Sequence, residues 1–263
     1  MDNRPIGVLD SGLGGLTVLK KVIEKLPNES TVFIGDQANM PYGDRSEEEI
    51  IDLTMASVNF LLKKGVKLII FGCNTATAVA MPVIQKRVPV QLIGVIQSGA
   101  LAASKETKNK KVAVLGTTVT AESHAYQKEI KARDKEIEVE EYAEPLWAPL
   151  VESDPNEEKK LAVVRKGMKE IKDRDFDTLI LGCTHYPLLA NEIRANLDPS
   201  KQILDPADQV AQYTYNVLKR DDMFATGPVK HEYFTTATDT EKFDNLARKW
   251  MEDKTIQSKH VDD

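Results

Sequence analysis

Short runs of apolar residues alternate with amphipathic segments along most of the chain. Leu68–Phe71 and residues 178–181 are examples of the apolar runs, and a Gly-containing turn often separates such a run from the segment that follows. Continuous apolar runs are typical of parallel strands that are buried on both faces, and the segments between them have the apolar spacing of helices. The pattern therefore predicts an α/β fold in which helices cover a parallel sheet.

The predicted elements follow this rhythm from one end of the chain to the other. Strands are predicted at residues 6–9, 31–34, 68–71, 92–95, 111–115, 136–141, 178–181 and 202–204. The predicted helices include residues 15–25, 47–64, 77–88, 122–131, 157–172, 188–195, 207–219 and 240–252.

The two halves of the chain resemble each other. The segment LIIFGCNT at residues 68–75 can be laid over TLILGCTH at residues 178–185, so that each reads strand, Gly, Cys and a polar pair. A second similarity sets VLDS at residues 8–11 beside VLGT at residues 114–117. Ligands of open α/β sheets bind beyond the carboxyl ends of the strands, where both cysteines fall. We therefore expect two similar doubly wound parallel-sheet lobes with the active site in the cleft between them.

Length and charge narrow the classes of function. A chain of 263 residues is long enough for two lobes, since domains centre on about 100–150 residues. The net charge of −6 gives no general attraction to nucleic acid or anionic lipid, so neither is an expected partner. No window approaches the roughly 20 apolar residues of a membrane span, and the N-terminus lacks a signal-peptide pattern. A cytoplasmic location is expected.

The chain has only two cysteines, Cys73 and Cys183, which are expected to be reduced in the cytosol. Each follows a predicted strand at the start of a helical segment, where unpaired backbone N–H groups and the helix dipole favour a thiolate. A small buried hydrophobic residue is the alternative account of such a cysteine. Each cysteine is followed by a polar pair, NT at 74–75 and TH at 184–185. Such pairs are unfavourable in a hydrophobic core and can donate hydrogen bonds to a carboxylate, so we favour a chemical role for the two cysteines. No metal site is predicted, because the chain has no Cys-x-x-Cys or His-Glu-x-x-His pattern.

Asp10 ends the first predicted strand and opens the glycine-rich sequence DSGLGG. The glycines allow a tight turn with backbone N–H groups directed at an anion, and the carboxylate can orient a neighbouring thiol or accept its proton. A structural role as the N-cap of the next helix explains Asp10 equally well. The loop departs from the Gly-x-Gly-x-x-Gly and P-loop patterns, which argues against nucleotide binding.

His185 stands two residues beyond Cys183 and can serve as a general acid/base or as a partner of the thiol, because its reference pKa is close to neutral pH. A capping or surface role is the alternative. Glu152 ends the run PLVE and can assist His185, although a solvent-facing glutamate is the simpler interpretation. The turns at residues 41–43 and 117–118 are candidates for ligand contact, with ordinary turn chemistry as the alternative.

In combination, these motifs resemble the glutamate racemase family over nearly the whole chain. The resemblance rests on DSGLGG at 10–15, PYG at 41–43, GCNTA at 72–76 and LGCTHYPL at 181–188, with support from PL at 145–146, PLVE at 149–152 and DPA at 205–207. Three positions in two motifs depart from the family. The sequence QSG stands at residues 97–99 where Glu-Pro-Gly is usual, and Glu144 stands where a Cys often precedes Pro-Leu. These departures concern the lobe junction and packing more than the chemistry.

The resemblance implies an enzyme that inverts the α-carbon of glutamate without pyridoxal phosphate or a metal and supplies D-glutamate for peptidoglycan. Two thiols on opposing lobes suit this reaction, because a proton leaves one face of the carbon and another arrives on the opposite face. By resemblance, Cys73 aided by Asp10 takes the proton from D-glutamate, and Cys183 aided by His185 and Glu152 takes it from the L-isomer. The residues implied to bind the substrate are Asp10, Ser11, Pro41, Tyr42, Gly43, Asn74, Thr75, Thr117, Thr118, Thr184 and His185.

The resemblance also implies the domain organisation and the assembly. The first lobe is expected to comprise residues 1–97 and a returning segment, residues 208–263, while residues 98–207 form the second lobe. A homodimer is implied as well.

Other functions stay open at this point. Racemisation of aspartate uses a similar two-thiol arrangement, and a related decarboxylase or isomerase commonly lacks one of the paired residues. A non-enzymatic binding protein can also keep the fold. The complete set of motifs favours glutamate as the substrate.

Overall fold

Ten strands and twelve α-helices alternate along residues 1–261, the part of the chain that this computed structural model describes. The strands are β1 (Ile6–Asp10), β2 (Thr31–Gly35), β3 (Leu68–Phe71), β4 (Gln91–Gly94), β5 (Lys111–Gly116), β6 (Glu138–Ala143), β7 (Thr178–Gly182), β8 (Gln202–Leu204), β9 (His231–Thr235) and β10 (Ser258–His260). The helices are α1 (Gly15–Lys25), α2 (Glu47–Lys63), α3 (Asn74–Val79), α4 (Met81–Ile84), α5 (Val95–Glu106), α6 (Thr118–Glu122), α7 (Ala125–Arg133), α8 (Trp147–Glu152), α9 (Glu157–Gly167), α10 (Ala190–Ala195), α11 (Pro206–Arg220) and α12 (Thr240–Met251). Short 3-10 turns lie at Tyr42–Asp44 and Tyr186–Leu189. None of the helices within the described residues has the length and apolar character needed to cross a membrane.

The strands form two separate sheets, and every strand pair within residues 1–261 is parallel. The first sheet has the order β10-β9-β2-β1-β3-β4, and the second has the order β6-β5-β7-β8. The series β2-β1-β3-β4 therefore repeats as β6-β5-β7-β8, with β1 equivalent to β5 and β3 equivalent to β7. The prediction of two similar parallel-sheet lobes is confirmed.

The carboxyl ends of the central strands bring the polar motifs to one edge of each sheet. In the first lobe, Asp10 is the last residue of β1, and Cys73 follows β3 after one glycine. In the second lobe, Thr117 directly follows β5, and Cys183 directly follows β7. Because β1 pairs with β3 and β5 pairs with β7, each lobe presents its two motifs side by side.

Alternate residues of the central strands face opposite sides of the sheet. Val8 belongs to one apolar cluster and its neighbour Leu9 to another, as the twofold periodicity of a strand requires. The cluster around Val8 also contains Val114 of β5 and residues of α5 and α11, so the two lobes share an apolar core. The chain passes between the sheets at these two helices. The lobe boundaries expected near residues 97 and 208 fall inside them and stay a prediction.

The two C-terminal strands, β9 and β10, are not among the strands that the sequence pattern predicts. The sequence of β9 is HEYFT, with its first two residues half-buried, and β10 is SKH, with two exposed residues. Because β10 is a short and polar edge strand, its hydrophobic pattern is weak. Strand β9 pairs with β2 from Thr31 to Gly35, so the returning C-terminal segment extends the first sheet.

Two predicted helices are interrupted in the structure. The helix expected over residues 77–88 begins earlier, at Asn74, and divides into α3 and α4 because Pro82 has no N–H to continue the hydrogen-bond ladder. The helix expected over residues 122–131 is replaced by α6 and α7. These two helices are separated at His124, which has a left-handed backbone conformation with φ of 53°.

A buried ion pair ties three segments of the first lobe together. The Lys67 ammonium donates to Glu29 Oε2 at 2.6 Å and to the carbonyl oxygens of Asp2 at 2.8 Å and Met223 at 2.7 Å. Glu29 Oε1 accepts a hydrogen bond from the Ala225 N–H at 2.8 Å. The side chains of the pair are only 0% and 2% exposed. The pair therefore fixes the N-terminus and the returning C-terminal segment beside the start of β3.

Lys67→Met is expected to lower the free energy of unfolding by about 3–5 kcal/mol, because it leaves the Glu29 carboxylate buried without its counter-ion. Urea denaturation followed by circular dichroism at pH 7 measures this change. The matched control is Lys230→Met, since Lys230 is 70% exposed in its ion pair with Glu232. Its loss is expected to cost less than about 1 kcal/mol. A Lys67→Met protein as stable as the control would contradict the structural role of the buried pair.

Candidate active site

A small cavity lies between the facing edges of the two sheets. Its volume is about 40 Å³, and both cysteines line it, Cys73 from the first lobe and Cys183 from the second. The other lining residues are Ser11, Gly12, Met40, Pro41, Tyr42, Gly43, Asn74, Thr75, Thr117, Ala148, Pro149, Thr184 and His185. The two thiols therefore approach the same enclosed space from opposite lobes.

Cys73 caps the N-terminus of α3 and is a protonated thiol at neutral pH. Its sulfur accepts a hydrogen bond from the Ala76 N–H at 3.4 Å, and its S–H donates to Ser11 Oγ at 3.6 Å. Burial, followed by the effect of the Asp10 carboxylate, raises the pKa of Cys73 to about 12, although the hydrogen bonds that a thiolate would accept from Ala76 and Ser11 act in the opposite direction. The position at a helix N-terminus is therefore not sufficient to make this thiol a thiolate.

Cys183, His185 and Glu152 form a chain of polar side chains in the second lobe, which we call the relay. His185 Nδ1 lies 3.7 Å from Cys183 Sγ, and His185 Nε2 lies 2.7 Å from Glu152 Oε1. Burial by itself lowers the pKa of His185, but the hydrogen bonds to Cys183 and Glu152 outweigh this effect and raise that pKa well above its usual range. The imidazole is therefore cationic at neutral pH.

Asp10 lies beneath the glycine-rich loop, behind the cavity surface. The residue is 2% exposed, and its Oδ2 accepts a hydrogen bond from the Gly12 N–H at 3.0 Å. Burial raises the pKa of Asp10 to about 6, while the His185 cation and the backbone N–H groups of the loop oppose this effect. The carboxyl group can thus exchange a proton near neutral pH, which suits acid/base work at a neighbouring thiol.

Polar side chains join the two lobes on another side of the cavity. Thr75 Oγ1 lies 3.0 Å from Thr117 Oγ1 and 3.3 Å from Thr120 Oγ1, so hydroxyl groups of both lobes share one hydrogen-bonded cluster. The Tyr126 hydroxyl donates to Asn74 Oδ1 at 2.7 Å. These contacts hold α3 of the first lobe against α6 and α7 of the second.

Residue 14 must be glycine because the two lobes touch there. A Cβ atom at Gly14 would lie 2.3 Å from Thr184 Oγ1 and 2.6 Å from His185 Nδ1, where a real Cβ atom does not fit. The Thr17 hydroxyl donates to the Thr184 carbonyl oxygen at 3.0 Å in the same region. The glycine-rich loop of the first lobe therefore packs directly onto the relay of the second.

Most of the residues predicted for the site line the cavity, and three do not. Asp10 stands behind the glycine-rich loop, Glu152 stands behind His185, and Thr118 is the first residue of α6. The catalytic and substrate-binding roles of all the predicted site residues, whether or not they line the cavity, stay predictions.

The motifs do not point to every residue of the site. Met40 and Ala148 line the cavity, while Gln37 contacts Glu152 and the Trp250 ring lies perpendicular to the ring of His185. Gln37 lies two residues beyond the carboxyl end of β2. Ligands of open α/β sheets bind at such strand ends, so the reasoning that selected Asp10 at the end of β1 could also have selected Gln37. Trp250 gives no such signal, because it belongs to a helix that returns from the C-terminal end of the chain.

The chain is similar to proteins of one known family along its whole length. Residues 6–214 match the family model described as Asp/Glu/Hydantoin racemase. A glutamate racemase of Lactobacillus johnsonii is 67% identical over 264 residues, covering 100% of this chain and 99% of that protein. The crystal structure of a glutamate racemase isoform from Bacillus anthracis matches with a TM-score of 0.94 and 36% identity, covering 100% of this chain and 98% of that one. The glutamate racemase of Francisella tularensis in complex with D-glutamate matches with a TM-score of 0.91 and 30% identity, covering 99% of this chain and 98% of that one.

Asp10→Asn is expected to raise the free energy of unfolding at pH 7 by up to about 3 kcal/mol, because an amide avoids the cost of burying a carboxylate. The folded pKa of about 6 lies above the ordinary value of 3.8, so Asp10 makes the wild-type protein less stable as the pH rises through this interval. The advantage of the Asn variant should be absent below about pH 4, grow up to about pH 6 and remain constant above it. Urea denaturation at a series of pH values measures it.

The control for this variant is Asp52→Asn, which changes an exposed carboxylate on α2. It is expected to alter the free energy of unfolding by less than about 0.5 kcal/mol at each pH. Identical stability curves for Asp10→Asn and the wild type would show that the carboxylate of Asp10 has no burial cost.

Proposed function

The chain belongs to the glutamate racemases of the Asp/Glu/Hydantoin racemase family, and we propose that it interconverts L- and D-glutamate with Cys73 and Cys183 as its two acid/base groups. The observation that carries this proposal is the approach of two thiols to one cavity from opposite lobes. Inversion of a tetrahedral carbon removes a proton from one face and delivers a proton to the other. Two groups on opposite sides of the substrate can do this without moving.

From L- to D-glutamate, Cys183 removes the α-proton. The His185 cation lies 3.7 Å from the sulfur, and Glu152 at 2.7 Å keeps the imidazole charged. Cys73 carries its proton at neutral pH, since its pKa is about 12, and can donate it to the opposite face of the carbon. The proton that Cys73 holds at rest therefore suits this direction.

The reverse direction needs Cys73 as the thiolate. With a pKa of about 12, only about one Cys73 in 10⁵ is ionised at pH 7, so the proton needs a nearby acceptor. Asp10 has a pKa of about 6 and is therefore mostly ionised at pH 7, so it can accept the proton once bound substrate has lowered the pKa of Cys73. The ammonium group of a bound amino acid adds positive charge near the sulfur and favours the thiolate further.

Uncharged donors are available to hold the substrate. The hydroxyl groups of Ser11, Thr75, Thr117 and Thr184 and the amide of Asn74 line the cavity and can bind the two carboxylates and the ammonium. A cavity of about 40 Å³ has room for roughly three water molecules, each of which needs about 10–15 Å³. Glutamate needs more space than this, so we propose that the lobes separate to admit it and close around it.

The proposal includes a cytoplasmic homodimer that supplies D-glutamate for peptidoglycan synthesis. Aspartate is the closest rival substrate, and its side chain is one methylene shorter. A difference of one methylene changes transition-state binding by only about 1–3 kcal/mol, so a rate with aspartate is the sensitive test of specificity. The identity of 67% to a glutamate racemase over the full chain supports glutamate.

Purified, reduced protein in deuterated water is expected to incorporate deuterium at Cα of either glutamate enantiomer without an added cofactor. Proton NMR measures the exchange, and circular dichroism measures the approach to an equal mixture. Cys73→Ala and Cys183→Ala are each expected to lower racemisation by about 10²–10⁴-fold, because each removes the acid/base group from one face of the carbon.

Asp52→Asn serves as the control and should keep wild-type turnover, since this residue lies on the exposed side of α2. Absence of both exchange and a change in circular dichroism would refute racemase activity. Full turnover in one cysteine variant would instead refute the two-thiol mechanism and leave the family membership intact. Aspartate tested in parallel separates the rival substrate.

A further inference from the structure

Gln37 of the first lobe contacts the relay of the second lobe. It lies two residues beyond the end of β2, and its side-chain N–H donates to Glu152 Oε2 at 3.2 Å. Glu152 is the last residue of α8, and its other oxygen, Oε1, lies 2.7 Å from His185 Nε2. One carboxylate oxygen is therefore held from within the second lobe, and the other is held from the first.

The backbone beside Gln37 is firmly anchored. The Ala38 N–H donates to Thr236 Oγ1 at 3.0 Å, and the Thr236 hydroxyl donates to Asp36 Oδ1 at 2.7 Å. The Tyr42 hydroxyl donates to Asp36 Oδ2 at 2.6 Å. The position of Gln37 thus depends on the C-terminal segment, through Thr236, and is linked through Asp36 to a residue that lines the cavity.

A neutral amide suits this position better than a charged group. A Lys or Arg beside Glu152 would form an ion pair with it and weaken the attraction between the carboxylate and the His185 cation. An amide N–H orients the carboxylate by one hydrogen bond and leaves its charge in place. Gln37 Oε1 is buried and has no hydrogen-bond partner among residues 1–261, so the side chain keeps this orientation at a cost in free energy.

We propose that Gln37 is a positioning residue for the relay and that it acts only when the two lobes are closed. The inference rests on the two-thiol function proposed above. Separation of the lobes removes Gln37 from Glu152, because the two residues belong to different lobes, and leaves the carboxylate free to turn away from His185. Closure around the substrate restores the contact, so that the relay and its thiol reach the reactive arrangement only when the lobes are closed.

Gln37→Met tests the proposal, because methionine has a similar length and no N–H donor. The variant is expected to lower kcat/KM about tenfold, as expected for loss of one hydrogen bond to a charged group. The loss must be equal for both enantiomers, since L- and D-glutamate have the same free energy in water. It should appear in kcat more than in KM, because Gln37 does not line the substrate cavity.

Isotope effects distinguish positioning of the relay from a general structural role. The primary isotope effect with Cα-deuterated L-glutamate should increase in Gln37→Met, because proton transfer at Cys183 becomes slower relative to the other steps. The effect with Cα-deuterated D-glutamate should not increase, since Cys73 removes that proton. A purely structural role would leave both isotope effects at their wild-type values.

A double-mutant cycle tests whether Gln37 acts through Glu152. In a Glu152→Ala background, Gln37→Met should cause no further loss of activity. Gln37→Glu should be less active than Gln37→Met, because it sets one carboxylate against another. Gln85→Met is the matched control at the exposed end of α4 and should keep wild-type kinetics.

Wild-type kinetics in Gln37→Met, or the same loss with and without Glu152, would overturn this proposal and leave racemisation itself intact. A loss accompanied by a lower urea midpoint and unchanged isotope effects would also overturn it, since it would reflect folding. Failure of the wild-type protein to racemise glutamate would instead overturn the proposed function.

Discussion

A buried cation at His185 is the condition on which the rest of the site depends. The His185 side chain is 7% exposed, and burial of this kind favours the neutral imidazole unless an anion lies close by. Glu152 at 2.7 Å provides that anion, and the sulfur of Cys183 adds to its effect. Gly14 lacks the Cβ atom that would strike the ring, and Trp250 lies perpendicular to it with 5.9 Å between the ring centroids. Packing from both lobes therefore maintains the ion pair between His185 and Glu152. Loss of either partner would leave a buried charge without its counter-ion, which is costly.

The two cysteines occupy equivalent positions in the repeated lobes but have opposite surroundings. Cys73 is buried and lies near an anion, Asp10, so it holds its proton. Cys183 instead lies beside the His185 cation. The repeated topology supplies two thiols on opposing edges, and their different neighbours, a carboxylate and an imidazolium cation, make the two sites unequal.

The repeated strand-Gly-Cys pattern is sufficient to predict matching positions for Cys73 and Cys183, because continuous apolar strands of a parallel sheet leave little choice of where their carboxyl ends meet. The pattern is not sufficient for β9 and β10, since short, half-polar strands near a sheet edge lose the hydrophobic signal. Gln37 and Glu152 are 115 residues apart, and only the packing of one lobe on the other brings them together. The raised pKa of Cys73 also depends on the tertiary structure, because burial of the thiol is its largest cause.

The pairing of β2 with β9 has a consequence for biosynthesis. Thr31 and His231 face each other in this pair although they are 200 residues apart. At about 5–20 residues per second, the ribosome releases β2 roughly 10–40 s before its neighbour. During that interval the apolar strand β2 is an unpaired edge and can pair with another nascent chain. Trp250, which lies against His185, is synthesised later still. The site is therefore incomplete even when most of the chain has been made. Until its C-terminal segment has been made, the chain therefore lacks the strand that covers this edge.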